Sequence, residues 1–143
     1  MELKEILNKL NIDYYEREYS EDEILYYCML FVDKELSDKL PMFIVEDFKN
    51  KFLVIKSISL NINLKKKSEI LEVLNDINSS CLYGSVYLNE DVVSFDIFIA
   101  ITRNKKYKYN IIKSYIEEYI KIFMLLLDKL NEYELINKDD KEE

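Results

Sequence analysis

The chain has 143 residues, 49% of them hydrophobic and 34% charged, and 20 Lys plus Arg against 28 Asp plus Glu give a net charge of −8. A chain of this length and apolar content builds one domain with a substantial core and is not disordered. It contains no His and no Trp, one Gly (Gly84) and one Pro (Pro41), which excludes His-dependent triads, an HExxH zinc site and glycine-rich phosphate loops.

Leu3, Ile6, Leu7 and Leu10 share one helical face, predicting a short amphipathic helix at the start. Residues 11–22 are polar apart from their tyrosines and read as an oblique approach to a sheet. Residues 24–32 (ILYYCMLFV) are apolar, aromatic and short, predicting a strand covered on both faces. After a polar connection and Pro41, residues 42–48 form a second strand, and Asn50 marks a tight turn. Residues 52–62 read as one strand with Phe52, Val54, Ile58, Leu60 and Ile62 on its inner face, broken by Lys56.

Ser68 is a good N-cap for a second helix whose buried stripe is Ile70, Leu74 and Ile77. Residues 82–88 alternate, with Leu82, Val86 and Leu88 inward and Tyr83, Ser85 and Tyr87 outward. In residues 92–101, Val93, Phe95, Ile97, Ile99 and Ile101 face inward. Asn110 can cap a long last helix with a stripe of Ile112, Ile116, Tyr119, Phe123, Leu126 and Leu130. The order α-β-β-β-α-β-β-α predicts an α+β domain, an antiparallel five-stranded sheet packed by helices, over residues 1–135. An acidic frayed tail follows at 136–143.

Within that order, the helix Ile70-Leu71-Glu72-Val73-Leu74-Asn75-Asp76-Ile77-Asn78 leads into Leu82-Tyr83-Gly84-Ser85-Val86-Tyr87-Leu88. This LNxxN helix followed by an aromatic strand resembles the YbjN-like domain family and, through it, the type III secretion chaperone fold. The resemblance implies a small acidic cytoplasmic bacterial protein without catalytic chemistry or cofactor. It also implies a chaperone-like or regulatory binding role, often as a dimer.

Several residue groups are candidate sites. Asn75 and Asn78, three apart on one helix face, are read as structural ties from the helix end to the next strand. Lys65, Lys66 and Lys67 and the segment Arg103, Lys105, Lys106 and Lys108 each sit between a strand and a helix, where they could form one basic rim. Tyr83 and Tyr87 form an outward tyrosine strip suited to a partner, although an AT-biased genome explains the tyrosine excess as well. Ile122 and Leu125 project away from the stripe of the last helix and suggest a second covering surface, hence a homodimer or partner groove.

The acidic field disfavours nucleic acid, and no apolar run is long enough to span a membrane. Cys28 and Cys81 form no metal-binding pair, and the first residues carry no signal core, so two reduced thiols in the cytoplasm are expected. Glu16/Glu18, Glu21/Glu23, Asp91 and Asp96 show no acid–base environment in sequence. The function expected is therefore non-enzymatic protein binding. The alternative is an acidic inhibitor or immunity-type protein neutralising a basic enzyme, and a carboxylate-dependent hydrolase is more remote.

Overall fold

The computed structural model describes residues 1–31, 39–102 and 104–136. Helix α1 (Leu3–Lys9) precedes strands β1 (Asp13–Ser20), β2 (Glu23–Phe31), β3 (Lys39–Asp47), β4 (Phe52–Lys56) and β5 (Leu60–Asn61). Helix α2 (Lys67–Asn78), the hairpin β6 (Gly84–Asn89) and β7 (Val92–Ala100), and helix α3 (Tyr109–Glu132) complete the fold. The strands form one antiparallel sheet in the order β1-β2-β3-β4-β7-β5, with β6 also paired to β7.

The architecture is the expected α+β one, with seven strands in place of five. Two local effects account for the difference. The tyrosine-bearing segment read as an oblique approach is β1 itself, hydrogen-bonded along β2 from Asp13↔Met29 to Ser20↔Glu23. The stretch read as one strand from 52 to 62 is interrupted by a bulge. Lys56 pairs with Asp96 and Leu60 with Val93, so four steps on one strand match three on the other. The extra residue is held by Ser57, whose N–H bonds Phe95 O at 2.9 Å and whose Oγ accepts from Phe95 N–H at 2.9 Å.

An extra residue reverses the alternation. Leu53 and Ile55 therefore join the core before the bulge, not Phe52 and Val54, while Leu60 and Ile62 join it afterwards.

All three helices lie on one side. Leu3, Ile6 and Leu7 of α1, Ile70, Leu74 and Ile77 of α2, and Ile112, Ile116, Tyr119, Ile122, Phe123, Leu126 and Leu130 of α3 are buried in one cluster. Facing them are Tyr26, Cys28 and Leu30 of β2, Met42 and Ile44 of β3, Ile55 of β4, Val86 of β6, and Phe95 and Ile97 of β7. Tyr119 anchors α3 at the centre, stacked between Phe95 and Phe123, with its hydroxyl donating to Pro41 O at 2.6 Å. The helices begin slightly earlier than their sequence signals: α2 is capped at Lys66 and not Ser68, and α3 at Lys108 and not Asn110.

Candidate functional site

The strand residues that alternate with the core set point to the side the helices do not cover. On β2 these are Leu25, Tyr27, Met29 and Phe31, and on β3 Pro41, Phe43 and Val45. The expectation that β2 is covered on both faces fails here, because its second side is half-exposed throughout. None of these residues belongs to the helix-side cluster or packs against it.

Strand register assembles them into rows. One runs Tyr15–Tyr27–Phe43–Lys56–Asp96, and the next Arg17–Leu25–Val45–Val54–Phe98. Tyr27 and Phe43 meet at 5.0 Å between centroids, and Phe52 and Phe98 at 5.8 Å. Val54 is buried although it lies outside the core cluster. The result is an apolar surface with two aromatic groups, Tyr15, Tyr27 and Phe43 and then Phe52 and Phe98, joined by Leu25, Val45 and Val54, on which Tyr15 is 74% and Phe98 64% exposed.

The charges on this face nearly balance: Arg17, Lys39 and Lys56 against Asp13, Glu23, Asp47 and Asp96. Two of the acids are engaged locally. Asp47 accepts from the Asn50 N–H at 2.9 Å and from its side chain at 2.8 Å, which holds its carboxyl below the usual range. Asp96 accepts from the Tyr87 hydroxyl at 2.8 Å, while its other oxygen is buried and accepts no hydrogen bond. Burial and this bond to the carboxylate together raise the Tyr87 pKa.

The helix side holds the perturbed groups. Glu46 is buried at the end of β3 and accepts from Tyr107 and Tyr26 beside a cavity of about 190 Å³ that also carries Glu16, Glu18, Lys4 and Lys105. Burial pushes its carboxyl above the usual range, and the two tyrosine bonds only partly offset that. Lys4 pairs with Glu16 at 3.0 Å. Cys28 is inert, its thiol pushed up to about 12 by burial. Among the described residues no group of three or more His, Cys, Asp or Glu side chains could hold a metal ion, and no helix is long and apolar enough to cross a membrane.

The residues singled out in sequence are dispersed. Asn78 bonds both backbone groups of Val86, donating to its O at 2.9 Å and accepting from its N–H at 2.8 Å, and so closes the free edge of β6. Asn75 lies exposed on the same helix. Tyr83 and Tyr87 do not form one strip. Tyr83 precedes β6 and packs edge-on against Tyr115 of α3 at 4.7 Å, whereas Tyr87 stands on the open face. Ile122 does not project outward, because α3 is clasped by sheet and helices together and the residue is entirely buried. Leu125 is half-buried at the margin of the core.

The basic segments do not meet either. Lys65, Lys66 and Lys67 follow β5, which pairs with the first residues of β7, whereas Lys105, Lys106 and Lys108 follow the last. A strand of that length spans about 27 Å. Arg103 lies outside the described residues.

Glu118 gave no sequence signal. Buried on α3, it accepts from Leu82 N–H at 2.7 Å and Tyr83 N–H at 2.6 Å, tying the β6 approach to the helix.

The chain is similar in structure to YbjN from E. coli, described as a proposed transcription regulator, with a TM-score of 0.58 over 94% of this chain and 93% of that one. At 13% identity the likeness is one of fold, and it is the YbjN-like fold expected from the helix-to-hairpin segment. No protein-family model and no curated protein matches the chain.

Proposed function

We propose that this is a non-enzymatic protein-binding domain, regulatory or chaperone-like, whose contact surface is the helix-free face of its sheet. The observation that carries the reading is the aromatic surface built by Tyr15, Tyr27, Phe43, Phe52 and Phe98. Exposed apolar surface of this extent on a soluble domain marks an interaction site. The regulatory role described for YbjN of E. coli is in keeping with it. A homodimer as the working unit is the finer form of the same reading.

Among the described residues, the group most suited to chemistry is Glu46. The perturbed carboxyl of Glu46 is held by Tyr26 and Tyr107, in a cavity where Glu16 is paired with Lys4 and Lys105 also lines the wall. A second reading, an acidic inhibitor of a basic enzyme, is favoured by a different feature: the groove of about 480 Å³ lined by Glu69, Glu72 and Asp76 beside Lys129.

Affinity capture from the native host at low and moderate salt separates the two. A partner held by the aromatic face survives the higher salt and is lost from Phe98→Lys. One held by the acidic groove is released by salt and is indifferent to that substitution. Persistence of every partner on Phe98→Lys would remove the first reading.

A further inference from the structure

We propose that the helix-free face is where two copies of this chain meet, sheet against sheet, about a two-fold axis running along β3. The inference rests on the reading of this face as a protein contact and commits it to one occupant.

Three observations select a second copy. The first is charge. The chain carries −8, yet this face carries three bases against four acids, two of the acids engaged by Asn50 and Tyr87. The acidity is kept off the surface on which two acidic copies would close, and a face without net field selects neither a basic nor an acidic stranger.

The second is area. With Tyr15 74%, Phe98 64%, Phe31 55% and Tyr19 53% exposed, and about 200 Å² per ring side chain, these four alone offer roughly 500 Å². The partly exposed Leu25, Tyr27, Phe43 and Val45 add to that, toward the roughly 800 Å² that each partner of a stable interface contributes. Aligned sheets pack face to face in this way as β-sandwiches.

The third is that the edge strands β6 and β1 are poorly suited to pairing with a strand of another copy. Asn78 occupies the backbone groups of Val86 on β6. On β1, Glu16 and Glu18 share one side, so the antiparallel pairings of two β1 strands that overlap most set carboxylate against carboxylate.

The axis follows from the sheet order. A two-fold along β3 lays β1 of one copy over β7 of the other and brings Arg17 onto Phe98 and next to Asp96. Within its own chain Arg17 stacks on the Tyr19 ring at 5.1 Å. Across the interface its guanidinium gains the exposed Phe98 ring of the other copy as a second aromatic partner.

Light scattering at increasing concentration tests the dimer, with Phe98→Lys and Leu82→Lys compared. Leu82 is 76% exposed but lies on the helix side, so its variant stays dimeric while Phe98→Lys becomes monomeric with an unchanged circular dichroism spectrum. A mixture of Arg17→Cys and Phe98→Cys chains forms a disulfide-linked pair faster than either alone, which reports the axis. A monomeric wild type at 100 µM (about a hundredfold above a micromolar Kd) overturns the proposal, as does a dimer that survives Phe98→Lys. Neither result touches the broader reading, which falls only if every captured protein, a native second copy included, still binds Phe98→Lys.

Discussion

The two faces of this sheet are built from nearly the same side chains and have opposite fates. On β2, Tyr26 and Cys28 are buried under helices, while their neighbours Leu25 and Tyr27 stay half-exposed. Hydrophobicity states that a surface would rather be covered; it does not state by what. On one side the chain supplies its own cover in α1, α2 and α3. On the other it leaves apolar and aromatic side chains partly open to solvent.

The largest test of this contrast sets residues on opposite faces of the neighbouring strands β4 and β7 against each other. Ile55→Ala, on the covered face, should lose about 2–5 kcal/mol in urea unfolding. Phe98→Ala, 64% exposed on the open face, should change monomer stability by no more than about 0.5 kcal/mol. Equal costs would mean the open face is covered within one chain.

Next come the polar ties that fix the helix cover. Glu118→Ala leaves two backbone N–H groups without their acceptor, and Asn78→Ala frees both backbone groups of Val86. Each should cost about 1–3 kcal/mol, with no change in association through the open face. Gly84→Ala sharpens the boundary between the faces. A Cβ there would strike the Asp96 carbonyl and come within 2.7 Å of Ile97 Cγ1, for roughly 1–3 kcal/mol of overpacking. A variant as stable as wild type would show that β6 shifts freely.

The smallest effect is one of pH. Burial raises the folded-state pKa of Glu46, so the protonated form is the one the fold prefers. Stability from this group is present below the ordinary glutamate pKa and is lost as pH rises through the raised folded value. Glu46→Gln should therefore be at least as stable as wild type at neutral pH, and its advantage should vanish on acidification. Melting temperatures of both proteins from pH 4 to 8 check this, and a parallel pair of curves would refute it.

Much of the covered face was legible in the sequence. The stripes of α2 and α3 and the inward set of β7 have clean periods, and the structure buries them, apart from Ile99 and Ile101, which are partly buried. The open face was hidden by two effects. A wholly apolar strand such as β2 looks the same whether one side or both are covered. The serine bulge after Lys56 displaces the phase by one residue, so a reading carried through it places Val54 on the wrong face. Lys56, which seemed to break an apolar row, stands correctly on the exposed one.

Turns were obscured for a related reason. With one glycine available, the chain uses Lys51 and Glu90 in left-handed conformations at φ 61° and 57°, where sequence gives no warning. Glu118 was illegible because a buried carboxylate on an exposed-looking helix position declares itself only once its N–H partners are in place.

The Asn78 clamp on β6 has one more consequence. The Val86 amide is bonded to a helix side chain and not to a strand neighbour. Its deuterium exchange should therefore follow the detachment of α2, while amides bonded in the β6–β7 ladder follow the opening of the hairpin. One amide thus becomes a clock for the helical cover, readable without perturbing it by any substitution.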